Sequence, residues 1–331
     1  MNILICSVGR RVQLIEYFKK ELTKVNGNVI AVDCDRTAPA LYHANNFEIV
    51  PRIDDPDYIN HLKNICRKYN VKGILSLIDP ELTLLASFKE EFEKEGIRVI
   101  VSDKNVIDLC FDKYLTFKFL EISNLPFVPT YLGLEKVNQD ITNGKLKFPL
   151  IVKPKEGSAS IGVQKITDID ELEAFLQNNH NYIVQPFIDG SEYCAECYID
   201  LETQKITSLF SKRKFNMRSG ETDKSISVKD PVLNEIVEKL IEMLKPLGPV
   251  DIDFFKTDKG YLISEINPRF GGGYPYAYEM GHNFIEKIIS NLNGLPNPTY
   301  LKYLGVYEEG ETMVRYDHFT ILKHNPVDMI T

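Results

Sequence analysis

Tryptophan is absent from this chain, and its six cysteines stand apart at positions 6, 34, 66, 110, 194 and 197. The missing tryptophan bears on no function. Scattered cysteines in a long chain read as reduced core residues rather than as a disulfide framework. Cys194 and Cys197 form a C-x-x-C, but inside a strand-like run their odd offset puts them on opposite faces. No second Cys or His pair follows at zinc spacing, so neither a zinc knuckle nor a dithiol redox centre is expected. Basic tracts are also missing, and 39 Lys and Arg against 47 Asp and Glu leave a net charge of −8. Nucleic acid is therefore not an expected partner. No apolar run approaches the roughly 20 residues that span a bilayer, so neither is a membrane. The opening MNILICSVGRR lacks the form of a signal peptide, because its apolar run is short and its arginines follow that run. A cytoplasmic location is the expectation. There is no internal repeat and no low-complexity segment.

What is present is enough apolar material, 44% of 331 residues, for large cores and roughly two domains. NILICSV (2–8) is a short apolar run ending at Gly9, and Val12, Ile15, Phe18 and Leu22 follow at helical spacing. NVIAVDCD (28–35) is a second strand. FEIVP (47–51), a helix over 56–69, GILSLI (73–78), a helix over 80–95 and RVIVS (98–102) continue the alternation. This predicts an N-terminal doubly wound parallel α/β domain. Its first loop holds one glycine rather than G-x-G-x-x-G, which argues against a dinucleotide-dependent oxidoreductase even with Asp33 ending the second strand.

The stretch GPVDIDFFKTDKGYLISEINPRFGGGYP (248–275) reads as a β-hairpin. VDIDFF (250–255) alternates apolar and acidic residues, TDKG (257–260) is turn chemistry, and YLISEI (261–266) returns. A tight turn puts Asp253 opposite Glu265, with Asn267 just past the strand end. Two carboxylates and an amide on one face suit a hard cation such as Mg²⁺. Arg269 adds a fixed cation suited to phosphate. A lone D-x-D reads as a solvated hairpin; E-x-N-P-R and three glycines behind it shift the reading to a site.

At these residues the sequence resembles the metal-binding hairpin of the ATP-grasp superfamily, which is mostly ATP-dependent carboxylate–amine ligases and related carboxylases. The likeness is to one ATP-grasp unit of the carbamoyl-phosphate synthase large chain and its stand-alone ligase relatives. It implies a two-lobed α+β ATP-grasp after the N-terminal domain, with units over 1–108, 109–190 and 191–331. It also implies that the N-terminal strand ends face the substrate cleft, making Ser7, Gly9, Arg10, Arg11, Asp79, Pro80 and Glu81 rim candidates. In LCFDKYLTFKFLEISNLPFVPTY (109–131), read as a helix and a Pro-punctuated linker, Asp112 and Lys113 match the family's D-K pair. By that resemblance Lys113 reaches the ATP phosphates.

PLIVKP ends on Lys153, and the small loop EGSASIG (156–162) follows. G-K-[ST] is missing, so this is no Walker A. Its glycines permit close backbone approach and successive N–H groups can cradle phosphate. The resemblance makes it the phosphate-covering loop, with Lys153, Gly157, Ser158, Ser160, Ile161 and Gly162 as nucleotide contacts. DIDELEAFLQ (168–177) is a short amphipathic helix. NYIVQPFIDGSEYCAECYID (181–200) is two strands joined by F-I-D-G, the hinge that holds adenine in the family. Gln185 and Pro186 lead into it, the backbone of Phe187 and Ile188 would pair with the base edge, and Glu192 would take the ribose hydroxyls. Pro186 stands where family members often carry an acid. Glu196 shares the strand parity of Glu192.

KITSLFSKRKFNMRSGETDKSISVKDP (205–231) reads as a strand and then a basic loop, from which Lys212, Arg213 or Arg218 would touch phosphate or substrate. Gly271, Gly272 and Gly273 form a nest for an anionic substrate group. His282 is structural or substrate-facing, and GETMVRYDHFTIL (310–322) alternates like an edge strand.

The expected cofactors are ATP and Mg²⁺ or Mn²⁺, with Asp253, Glu265 and Asn267 as metal ligands and Arg269, Lys153 and Arg218 as catalytic residues. The expected reaction is activation of a small-molecule carboxylate as an acyl phosphate for attack by an amine substrate, in a homodimer. Bicarbonate phosphorylation of the carbamoyl-phosphate synthase kind and a non-catalytic ATP-binding subunit are the alternatives.

Overall fold

Short apolar runs separated by amphipathic helices build the first layer of the chain. In the computed structural model, which describes residues 1–157, 161–218, 221–299 and 307–322, strands β1 (Asn2–Cys6), β2 (Asn28–Asp33), β3 (Asn46–Ile49), β4 (Val71–Ser76) and β5 (Arg98–Val99) form one sheet. Its order is β3-β2-β1-β4-β5, and every pairing is parallel. Ile3, Ile5, Val29 and Ala31 bury on one face, and Leu4, Cys6, Ile30 and Val32 on the other. Burial on both faces is why these strands read as continuous apolar runs. Helices α1 (Val12–Thr23), α2 (Tyr58–Lys68), α3 (Asp79–Ser87) and α4 (Lys89–Lys94) connect them. The strand order reverses between β1 and β4, where Cys6 and Ser76 lie side by side; such a switch point opens a crevice at the strand ends.

Two further helices, α5 (Lys104–Phe111) and α6 (Lys113–Ile122), lead into the second layer. Asp112 separates them: its carboxylate accepts from the Tyr114 and Leu115 amides and caps α6. The continuous helix expected from residue 109 is therefore two. The expected helix over 80–95 likewise divides at Phe88, and the strand expected over 98–102 is two residues long.

Strand β6 (Tyr131–Leu132), helix α7 (Leu134–Thr142), strands β7 (Leu150–Pro154) and β8 (Gln164–Ile166), helix α8 (Ile169–Asn178) and strand β9 (Tyr182–Pro186) follow. They give an antiparallel sheet of order β6-β9-β7-β8 over a core of Val137, Leu150, Val152, Leu172 and Val184.

The third layer holds strands β10 (Ser191–Ile199), β11 (Ile206–Arg218) and β12 (Glu221–Ser227), helix α9 (Pro231–Leu244) and the hairpin β13 (Gly248–Thr257) and β14 (Gly260–Asn267). Helices α10 (Tyr274–Glu279) and α11 (Phe284–Leu292) and the edge strand β15 (Thr312–Val314) complete it. The sheet order is β14-β13-β10-β11-β12-β15, antiparallel throughout. Its apolar face, with Cys197, Leu209, Val250, Ile252, Phe254 and Ile266, packs on α9 and on Val106, Cys110 and Leu120 of α5 and α6. The basic stretch expected as a loop after the strand instead continues β11 through Arg218; partner strands on both sides satisfy a backbone that its charges alone would send to solvent. At the other side, Ile285 and Ile288 of α11 share a core with Ile15 and Phe18 of α1.

His282 is structural. It is 3% exposed, its Nδ1 bonds Ser208 Oγ at 2.7 Å, and its ring packs against Phe210 and Tyr307. Burial, with the Lys287 charge, pushes its pKa down to about 4. In the unfolded chain the imidazole titrates near about 6.5, so the unfolded state takes up the proton first as pH falls. Stability contributed by neutral His282 is thus complete above about pH 6.5 and is lost down to about pH 4, on the order of 3 kcal/mol. Denaturant unfolding at neutral pH and at about pH 4.5 checks this: His282→Gln should lose markedly less stability between the two than the parent.

Candidate active site

The site grows from the hairpin register. Asp253 pairs directly with Glu265, and Asp251 with Asn267. Directly opposed residues of an antiparallel pair share a face, so four oxygen-bearing side chains lie together. The next strand extends the row: Cys194 opposes Asp253 and Glu196 opposes Asp251. On β11, Lys212 opposes Cys194 and Lys214 opposes Glu192. One face of the third sheet is therefore ionic across four strands, while its back is the apolar core.

Cations neutralise this face. Lys214 Nζ lies 2.8 Å from Asp253 Oδ1 and 3.6 Å from Glu192. Burial opposes its charge, but Asp253, joined by Cys194 and Asp251, holds the ammonium well above its ordinary range. Lys212 pairs with Glu196, each about 1% exposed. Asp251 is pushed up by burial and by Asp253; its Oδ1 accepts from the Cys194 thiol at 2.8 Å and its Oδ2 from Asn267 Nδ2 at 3.4 Å.

The other lobe contributes two lysines. Lys113, the first residue of α6, places Nζ 3.3 Å from Glu265 Oε1 and donates to the Gly157 carbonyl. Its amide donates to Lys155 O at 2.9 Å, and Asp112 pairs with Lys155 at 2.8 Å, so the start of α6 is tied to the strand before the glycine loop. Burial pulls the Lys153 pKa down, Glu265 opposes the fall, and Lys113 adds to it. Gly157 and Gly162 both have positive φ, +128° and +75°, which glycine adopts without strain. Ile161 is exposed beside them. Ser158 and Ser160 lie outside the described residues.

Arg269 is reached from the N-terminal layer. Its Nε and Nη2 donate to Asp79 Oδ1 and Oδ2 at 2.9 and 3.1 Å, and Nη2 also donates to Asn267 Oδ1 at 3.1 Å. Asp79 opens α3 at the β4 end of the switch point, so a bidentate pair joins the first and third layers beside a proposed metal ligand. A narrow crevice between Asp79, Gly157, Glu265 and Asn267 opens there. Glu81, expected at the rim, is instead fully buried and held by Tyr58 and Ser76.

The hinge residues are placed less uniformly. Gln185 is buried and donates to Thr130 Oγ1 at 2.8 Å. The Phe187 amide, expected to pair with a base edge, already donates to Pro149 O at 3.1 Å; Pro149 immediately precedes the neighbouring strand β7 and competes for that donor. Lys165 stands over the Phe187 ring at 4.2 Å. Pro186 ends β9 and Ile188 follows in the connection to β10. Glu192 is half-exposed at the near end of β10. Arg218, expected to be catalytic, pairs with Asp223 at 3.0 Å and Asp317 at 2.8 Å at the far end of β11, four residues beyond Lys214. Arg213 points to the opposite face and donates to Ser191 Oγ.

Two of the three glycines, Gly271 and Gly273, answer a steric need. A Cβ on Gly271 would stand 2.7 Å from the Asp251 carboxyl, and one on Gly273 2.2 Å from Lys212 Nζ. Carbonyls of the glycine run accept from arginines: Arg11 donates to Gly271 O at 3.0 Å and Arg315 to Gly272 O at 2.7 Å.

The donor set fits a hard divalent cation. Asp253, Glu265 and Asn267 offer oxygen atoms on adjacent strands, and lysine ammoniums already seek both carboxylates. Asp251 and Lys214 were not picked out from sequence. The signal was there in parity: Asp251 lies two residues before Asp253, and Lys214 two after Lys212 on a strand.

Residues 110–273 match the family model of the ATP-grasp domain, and residues 3–100 that of the PylC-like N-terminal domain. The chain belongs to the ATP-grasp family. It is 22% identical over 273 residues to a D-alanine–D-alanine ligase of Bacillus anthracis, covering 79% of this chain and 82% of that one. A carbamoyl-phosphate synthase of Methanobrevibacter smithii is 29% identical over 187 residues, 55% of this chain and 48% of that one. Among solved structures, the biotin carboxylase domain of Hydrogenobacter thermophilus 2-oxoglutarate carboxylase, in complex with MgADP, ADP and bicarbonate, shares the fold. It has a TM-score of 0.74 and 14% identity over 94% of this chain and 73% of that one.

Gly271→Ala should expel the Asp251 carboxyl, whose short side chain cannot swing clear. Denaturant unfolding should register a loss of about 1–3 kcal/mol, and Asn267 loses its Asp251 partner. An alanine variant as stable as the parent would mean the loop is slack.

Proposed function

We propose that this protein is an ATP- and Mg²⁺-dependent ligase that activates a small-molecule carboxylate as an acyl phosphate and passes the acyl group to an amine. The observation that carries the reading is the meeting of Lys113 and Lys153 from one lobe with Asp253 and Glu265 from the other. Cations aimed at carboxylates across a cleft leave a place where a metal-bound triphosphate satisfies both. The similarity to a D-alanine–D-alanine ligase supports it.

Asp253, Glu265 and Asn267 would hold Mg²⁺, for which Mn²⁺ can substitute; the bound ion supplies charge neutralisation and orientation of phosphate oxygens. Lys113 and Lys153 offset charge on the transferring phosphoryl group, and the 156–162 loop covers it against water. An oxygen of the substrate carboxylate attacks the γ-phosphorus and ADP leaves. The amine nitrogen then attacks the acyl carbon and phosphate departs. Most of the rate comes from positioning and electrostatics. Arg269, held by Asp79, aligns Asn267 and keeps a positive charge at the crevice where the acid enters. Lys214 stands on the same ionic face and takes a phosphate contact in place of Arg218. Gln185 to Ile188 line the adenine end, with the Ile188 amide as the hinge donor, and Glu192 serves the ribose. Residues 1–108, 109–190 and 191–331 act as three units around the nucleotide, in a cytoplasmic homodimer. Among the described residues no helix is long and apolar enough to cross a membrane.

ADP release from Mg-ATP across pools of amino acids, small carboxylates and bicarbonate tests the reading. Release that needs both an acid and an amine, and falls about 100-fold or more in Glu265→Gln, is expected. Release with bicarbonate alone would move the protein to the carboxyphosphate-forming class. ATP binding without turnover on any pool would overturn the ligase reading.

A further inference from the structure

Cys194 interrupts the ionic face with a soft atom. It sits between Asp253 and Lys212 in the cross-strand row, and its Sγ and one oxygen each of Asp251 and Asp253 all lie within 4.8 Å of one another. Ligands on one tetrahedral ion stand about 3.5 Å apart, given metal–sulfur bonds of about 2.3 Å and metal–oxygen bonds of about 2.1 Å. Sγ and the Asp251 oxygen, held at 2.8 Å by the thiol hydrogen bond, would move apart to that spacing once the thiol proton is lost. Two oxygens and a sulfur are a poor set for Mg²⁺, which prefers all-oxygen octahedra, and a good one for zinc or cadmium. Asp253 belongs to both sets.

We propose that Cys194, Asp251 and Asp253 form a thiolate–carboxylate site for a soft divalent cation, overlapping the magnesium set at Asp253. Binding exchanges the thiol proton, now donated to Asp251 at 2.8 Å, for the metal; the proton leaves to solvent. Lys214 is the internal competitor, because it must leave Asp253 for the ion to enter. A soft cation seated there takes a carboxylate from magnesium, so trace zinc arrests the enzyme. The overlap with magnesium rests on the function proposed above; the thiolate site itself does not.

Cadmium titration of the nucleotide-free protein tests it through the ultraviolet thiolate-to-metal charge-transfer band. The parent carries Cys34→Ser, removing the one exposed cysteine. One equivalent of band is expected, suppressed by excess Mg²⁺ and absent in Cys194→Ser, with Cys194→Ala in reserve should the serine variant misfold. Mg-ATP turnover should then need about tenfold more Zn²⁺ for inhibition in the Cys194 variant. No band in the parent, or an undiminished band in a folded Cys194 variant, overturns the site. Absent ADP release with an intact band would sink only the ligase reading.

Discussion

Everything at the site depends on the register of one hairpin. Val250, Ile252, Phe254 and Ile266 bury on the side that meets α9, and this fixes Asp251, Asp253, Glu265 and Asn267 on the other. A one-residue slip would drive the carboxylates into an apolar core and the apolar residues onto the cleft. The cost of burying even one unpaired charge exceeds that of any local rearrangement. Hydrophobic burial behind the sheet is thus what aligns the chemistry in front of it. The cleft needs no rigid loop to hold its acids, because strand pairing does so.

The acids in turn demand cations, and the chain supplies them from every direction. Lys212 and Lys214 come from β11, Lys113 and Lys153 from the other lobe, and Arg269 from the hairpin's own exit, steadied by Asp79 of the first layer. These pairs are buried or nearly so, where charge interactions are strong and leaving one partner alone is costly. The electrostatic balance therefore couples three layers that hydrophobic packing alone would leave as separate cores.

The parts legible in sequence were those encoded by neighbours along the chain. The parallel strands announced themselves as apolar runs, and Asp253 opposite Glu265 followed from alternation plus a short turn. Asp112 as a break between α5 and α6 was also local, but a capping carboxylate inside an apolar-periodic stretch is easily read as helix. The long strand β11 was not legible past Lys212. Lys212 and Lys214 find their partners on β10 and β13, which are set by pairing over long separations. For the same reason Lys214 and Asp251 escaped notice, and the pairing of Arg218 with Asp223 and Asp317 could not be foreseen. The hinge amide of Phe187 was taken by Pro149, a competition no linear reading contains.

The glycine turn carries a consequence for how the molecule comes into being. Its carbonyls are gripped by Arg11 from one direction and Arg315 from the other. A nascent chain emerging from the ribosome can pair β13 with β14 well before residue 315 has been made. The Arg11 contact already spans 260 residues of chain, and the grip closes only when Arg315, made later still, reaches Gly272. Contacts of such sequence separation form slowly and last. Until then Asp251 and Lys212 face a turn held from one side, so an unfinished chain carries its acids and bases paired but not yet anchored.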